Sequence, residues 1–343
     1  MDHKKVRVRA PLRLGLAGGG TDINSYSDLY GGAVLNVTLN KYAYTIVDSI
    51  DSDIIFEALD KNIKVKKNIE DELILDGKLD LHLATYKYMI NKYNNNKNIS
   101  IYLGTFCEAP PGSGLGSSST LVVSMVKALS DYLNIPLDDY EIAYIAYKIE
   151  REDCGLKGGK QDQYAATFGG FNFMEFNKDG SVLVNPLRVK NWISCELEAS
   201  LILFFTSISR ESANIIKDQS SNVDKKSEQT INSFHNIKNY ALNMKEALLK
   251  GNFDIFSSEL KKSWEEKVKT ANSVSNNTID TIFENALRSG ALSGKLSGAG
   301  GGGFMMLFVP TKNRMEVIRC LSKFDGRVSS CQFSDVGVQS WTL

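Results

Sequence analysis

The stretch Pro110-Pro111-Gly112-Ser113-Gly114-Leu115-Gly116-Ser117-Ser118-Ser119 has residue types suited to holding phosphate oxygens. Its glycines tolerate positive φ and let a ligand approach the backbone closely. Successive N–H groups can then point into one concavity, at the positive end of a following helix. Three serines add hydroxyls for a phosphate or a cation, whereas a helix cap needs only one. A plain strand-to-helix turn would explain the glycines but not the serine triplet. The loop lacks G-K-[ST], so it is not a Walker A motif. Its glycine spacing is not that of a dinucleotide fingerprint. Two further clusters, Gly18-Gly19-Gly20-Thr21-Asp22 and Ser297-Gly298-Ala299-Gly300-Gly301-Gly302-Gly303, are weaker taken singly. Each can be a turn, but the glycine-rich third cluster is costly to order, which favours close approach there by a ligand or a neighbouring backbone.

The elements around these loops can be read from periodicity. Val6, Val8 and Ala10 alternate with polar neighbours and predict an opening strand. Val34–Val47, Asp51–Lys67 and Ile99–Phe106 read as further strands, with a helix over Leu79–Tyr93. The polar run Asn94–Asn98 reads as a surface loop. Leu121–Leu133 and Leu137–Arg151 read as helices after the serine loop, and Phe168–Phe176 as a hairpin region. Leu201–Phe205 reads as a buried strand. The spacing of Ile231, Phe234, Ile237, Ala241, Met244 and Leu248 predicts a long amphipathic helix that Gly251 ends. Phe256, Leu260, Trp264 and Val268 predict another, and Ile279, Ile282, Phe283 and Ala286 a third. The tail reads as a strand at Phe304–Val309, a helix near Met315–Leu321 and closing strands. Mixed strands and helices without a βαβ repeat predict an α+β protein. A divide near Asp179–Trp192 predicts domains of residues 1–190 and 191–343.

Bulk properties narrow the function. The 343 residues carry 40 basic and 40 acidic side chains, so no net field draws the protein to nucleic acid or an anionic membrane. An anionic substrate must be met by local charges. His3, His82 and His235 lie far apart, which argues against a zinc site or a Ser-His-Asp triad. The five cysteines contain no C-x-x-C pair and read as reduced thiols. The first residues are too charged for a signal-peptide core, and no apolar run reaches membrane length. A cytoplasmic protein is expected, and its oligomeric state cannot be read.

The three glycine clusters, in this order, resemble the GHMP superfamily of small-molecule kinases. Ala10-Pro11-Leu12-Arg13 with Thr21-Asp22 is similar to the first motif, Pro111–Ser119 to the second and Lys295–Gly302 to the third. The resemblance implies a two-domain GHMP kinase fold: an N-terminal α+β domain related to ribosomal protein S5 domain 2, and a ferredoxin-like C-terminal domain. Gly158-Gly159-Lys160-Gln161-Asp162-Gln163-Tyr164 resembles the galactokinase segment that carries the catalytic aspartate, which implies Asp162 as base. Glu150 has the separation from it of the family's metal-ligand glutamate. Ser118 aligns with the hydroxyl that helps hold Mg²⁺, and Arg13 with the arginine beside the base. Lys160 is a second nearby cation.

ATP is the implied phosphate donor, with GTP as the alternative. Thr21 and Asp22 stand where galactokinases meet sugar hydroxyls. Gly19 and Gly20 replace that family's glutamate and histidine, leaving room for a different or larger sugar, and Gly300 and Gly301 belong to the third motif. Within the superfamily, Leu14–Asp22 and Gly159–Tyr164 look most like bacterial D-glycero-D-manno-heptose 7-phosphate kinases. Such a substrate needs a cation at the far end of its pocket, and Arg210 is a candidate. Other anomeric sugar kinases, such as fucokinases, are the alternative. A non-catalytic sugar sensor fits less well, because the serine loop, Glu150 and Asp162 are all present.

Overall fold

A computed structural model describes residues 4–208 and 212–343. Its strands are β1 (Lys5–Ala17), β2 (Gly32–Ser49), β3 (Ile54–Ala58), β4 (Ile63–Lys67), β5 (Ile101–Cys107), β6 (Phe171–Phe176), β7 (Val182–Pro186), β8 (Leu201–Phe205), β9 (Ser293–Leu296), β10 (Phe304–Phe308), β11 (Arg327–Ser329) and β12 (Gln339–Thr342). Its helices are α1 (Asn24–Tyr30), α2 (Asp80–Tyr93), α3 (Ser117–Tyr132), α4 (Asp139–Lys148), α5 (Gln161–Phe168), α6 (Asn191–Ser200), α7 (Ser212–Asp224), α8 (Glu228–Lys250), α9 (Phe253–Lys269), α10 (Asn277–Arg288) and α11 (Arg314–Leu321). The fold is therefore α+β.

Two sheets organise the chain. The first runs β12-β1-β2-β5-β3-β4, with β6 and β7 attached through β2; the second runs β11-β8-β10-β9. Among the described residues only β3 and β5, joined through β4 and α2, pair in parallel, so the crossover is not repeated into a doubly wound sheet. The closing strand β12 pairs antiparallel with β1, so the end of the chain returns to the first sheet.

β1 shows how the two sheets meet. Its first residues alternate between exposed and buried, while every residue from Ala10 to Ala17 is buried. The second half loses its solvent face because another layer covers it. Leu12, Leu14 and Leu16 pack in one cluster with Leu203 of β8, Met306 of β10, Met244 and Leu248 of α8, and Phe256 and Leu260 of α9. Burying side chains of this size stabilises the fold by about 1.5–3 kcal/mol each, so this shared core fixes the two sheets against each other. Separate clusters hold α2, α3 and α4 on the first sheet and α10 and α11 on the second.

Gly251 ends α8 in the left-handed conformation, its N–H donating to Leu248 O, as its position predicts. Helix α9 differs from its expected stripe. Val268 is exposed, and the buried face instead carries Phe256, Leu260, Ser263 and Lys267.

Candidate active site

Helix α3 begins four residues before the expected Leu121, so Ser117, Ser118 and Ser119 form its first turn. Gly116 precedes it at φ +76°, and no side chain caps the helix. The first N–H groups therefore keep free hydrogen-bonding capacity at the positive helix end. The site grows around this end. Pro111, Gly112, Gly114, Gly116 and the three serines line a cleft of about 600 Å³. Ser118 is exposed on the wall, and Ser113 and Leu115 are buried beneath it.

The third glycine cluster locks against the loop. Phe304 N donates to Ser113 O at 2.8 Å, and Ser297 Oγ donates to Gly114 O at 2.8 Å. Gly298 and Ala299 reach the cleft. Gly300 and Gly301, expected at the substrate, turn aside: Gly301 N donates to Val274 O at 2.7 Å. A Cβ on Gly300 would meet that same carbonyl at 2.7 Å.

Arg13 and Asp162 meet at the base of the cleft. The β1–β2 register shifts at Pro11/Arg13. A local irregularity of this kind re-aims side chains. Buried Arg13 donates through Nε to Asp162 Oδ1 at 2.6 Å and through Nη1 to Gly114 O at 2.6 Å. Its backbone N–H donates to Leu115 O at 3.1 Å. One arginine thus ties β1, the serine loop and the first turn of α5 together. On its other side, the Asp162 carboxylate is 3.2 Å from where a Cβ on Gly116 would lie.

Glu150 sits in a π-helical turn over residues 149–153 and is 3% exposed. Its Oε2 accepts from Ser119 Oγ at 2.6 Å and Gln163 Nε2 at 2.7 Å, while Oε1 faces Arg151 at 3.3 Å. The carboxylate also lines the cleft.

The first glycine cluster forms the opposite wall. Asp22 accepts from Gly20 N at 3.0 Å and from Gln161 through its backbone N at 3.1 Å and Nε2 at 3.2 Å. Thr21, expected at a sugar hydroxyl, is fully buried, and its hydroxyl bonds Gly18 O at 2.8 Å. It holds the turn. Lys160 turns away from Asp162 and lies 3.7 Å from Asp28, over the ring of Tyr147. Side chains two apart on a helix start project about 200° apart, so proximity in sequence does not bring Lys160 and Asp162 together. Arg210 lies outside the described residues.

Sequence reasoning missed three groups. Gln161 lines the cleft with a buried, unpartnered Oε1. Lys267 also lines it, donating to Gly19 O at 2.9 Å; burial lowers its pKa to about 8, against the pull of Asp22. Behind it, burial and the charges of Lys267 and Arg13 lower Lys295 to about 7. The legible signal for Lys267 was its position seven residues after Leu260, on the buried stripe of α9.

Fold and site together define a class. Residues 80–170 match the GHMP kinases N terminal domain and residues 244–325 match the GHMP kinases C terminal domain. The chain belongs to the GHMP kinases and is a phosphotransferase with an alcohol group as acceptor. Over 341 residues, it is 46% identical to the D-glycero-alpha-D-manno-heptose 7-phosphate kinase of Campylobacter jejuni, an alignment that covers 99% of this chain and 100% of the relative. The crystal structure of a D-glycero-D-manno-heptose 1-phosphate kinase from Bacteroides thetaiotaomicron matches with a TM-score of 0.84 and 41% identity, over 98% of this chain and 99% of that one. Methanococcus jannaschii mevalonate kinase, at 22% identity and a TM-score of 0.74 over 96% of this chain and 98% of its own, shares the fold. Among the described residues, no helix is long and apolar enough to cross a membrane.

Proposed function

We propose that this chain uses ATP to phosphorylate O1 of D-glycero-D-manno-heptose 7-phosphate, giving the 1,7-bisphosphate. The observation that carries the reading is the Arg13–Asp162 pair, set between an uncapped helix start on one side and the Asp22/Gln161 wall on the other. Full-length identity of 46% to a heptose 7-phosphate kinase supports the sugar. In this reading, the backbone of Gly112–Ser119 cradles the nucleotide phosphates and the sugar lies against Asp22 and Gln161. Asp162 takes the O1 proton as the new O–P bond forms and the bond to the departing diphosphate breaks. Arg13 holds that carboxylate in place and balances charge at the transferring phosphoryl group.

The oxygens of Glu150 and Ser118 fit a Mg²⁺ ion, which keeps most of its shell as phosphate oxygens and water. Glu150 Oε1, engaged among the described residues only by Arg151, is the oxygen left for it. Bound there, the ion would neutralise phosphate charge. In this reading the domain of residues 1–190 supplies both the serine-loop wall and the Asp22/Gln161 wall, and residues 191–343 complete the cleft with Lys267, Gly298 and Ala299. A cytoplasmic step towards GDP-heptose and capsule glycans is the setting we infer.

The test is a coupled assay with heptose 7-phosphate, galactose, fucose and mevalonate, the new phosphate being located by ³¹P NMR. Turnover of another substrate without heptose 7-phosphate removes the sugar assignment and leaves the family intact. Asp162→Asn keeps the shape of the side chain and should lower kcat by about 10²–10⁴-fold, with nucleotide binding within about threefold. Near-normal kcat would remove Asp162 as the base.

A further inference from the structure

Among the described residues, four cations line the cleft: Arg13, Arg151, Lys157 and Lys267. Arg13 is paired with Asp162 and Arg151 with Glu150, and Lys157 is exposed on the rim. Lys267 is different. It is 6% exposed, and among the described residues it makes no ion pair. Its one hydrogen bond is to the neutral carbonyl of Gly19. The side chain of Lys295, a residue also 6% exposed, has neither a hydrogen bond nor an ion pair among the described residues. Buried ammonium groups without a carboxylate are costly to the fold, so this pair is poor as a purely structural device. It is well suited to an anion that arrives from outside.

The surroundings point the same way. Gly20 sits at φ +101°, and a Cβ there would be 2.6 Å from Lys267 Nζ. The ammonium therefore occupies the space that a side chain at position 20 would fill, on the wall that faces the sugar. An ammonium has three N–H donors, and one is used. Asp22, the nearby acid, already accepts three N–H groups, so it competes weakly for this cation.

We propose that Lys267, with the charge of Lys295 behind it, receives the phosphate that the sugar already carries, and that this contact makes the enzyme prefer a sugar phosphate over a free sugar. The inference deepens the heptose-phosphate reading and rests on it. Burial lowers the pKa of both lysines, and an arriving dianion would favour their charged forms.

The experiment compares wild type, Lys267→Met, Lys267→Arg and Lys157→Met with heptose 7-phosphate and the unphosphorylated heptose. Lys267→Met should raise KM for the sugar phosphate about 10–100-fold, the size of a lost charge-assisted hydrogen bond. It should leave kcat within about threefold and the free-sugar constants unchanged. Lys267→Arg should recover most of the loss, and Lys157→Met should behave as wild type. Melting of the free protein guards against misfolding: Lys267→Met should melt no lower than wild type. Equal losses on both sugars, a fall in kcat at constant KM, or a low-melting Lys267→Met that Lys267→Arg does not rescue would each overturn the proposal. Wild type that turns over another sugar and not heptose 7-phosphate would overturn the heptose reading instead, and the phosphate contact with it.

Discussion

Lys295→Met isolates the energetic cost of keeping a cation inside this site. Lys295 lies on β9 and is buried beside Lys267 and Arg13, with its pKa lowered from the usual 10.5 to about 7. At about 1.4 kcal/mol per pH unit, the displacement sets a ceiling of about 5 kcal/mol on the cost to the free protein near neutral pH. Relaxation around the ammonium lowers the realised figure, and about 2–4 kcal/mol is expected. The direction with pH follows from linkage. The folded state binds the Lys295 proton less tightly than the unfolded chain, so its penalty is complete below about pH 7 and disappears as pH rises towards 10.5. Urea unfolding of wild type and Lys295→Met at pH 6, 7, 8 and 9 measures this directly. Met should be the more stable at pH 6, and its advantage should shrink by up to about 1.4 kcal/mol per pH unit above 7. Cysteines and tyrosines titrate alike in both proteins and drop out of the difference. A variant less stable than wild type at pH 6, or an advantage that does not change with pH, would refute the picture of an uncompensated buried cation.

Gly116→Ala adds a Cβ 3.2 Å from the Asp162 carboxylate at φ +76°. It should cost about 1–2 kcal/mol of stability and lower kcat about 10-fold or more by displacing that carboxylate; unchanged kcat would mean that the geometry of Asp162 is not critical. Ser119→Ala removes the 2.6 Å bond to Glu150. It should cost about 1–3 kcal/mol in urea unfolding and raise the Mg²⁺ concentration needed for half-maximal rate, whereas an unaltered Mg²⁺ titration would argue against Glu150 as a ligand.

Much of the fold is legible because its signals are local. Alternation in Val6–Ala10, the three-four spacing of α8 and the stop at Gly251 each reflect contacts within one element. The chemistry of Gly112–Ser119 is legible for the same reason: loop N–H groups and hydroxyls bind phosphate wherever the loop sits. Helices α1, α5, α6 and α7 carry no such local signal. Their sequences are short or polar, and tertiary packing, rather than propensity, holds them.

Within the site, the sequence by itself identified Arg13 and Asp22 as candidates through the first of three ordered motifs, and Asp162 and Glu150 through the resemblance of Gly158–Tyr164 and the spacing to it. Only the tertiary structure decided how they meet. The register shift in β1 aims Arg13 at Asp162. Ser119, rather than Ser118, takes the hydrogen bond to Glu150. Lys160 and Gly301 leave the cleft for Asp28 and Val274. Lys267 joins Gly19 from 248 residues away. A lysine in a sequence reads as a solvated charge. Its burial beside a cleft depends on α9 packing against β1, which is a property of the assembled core and of no single segment.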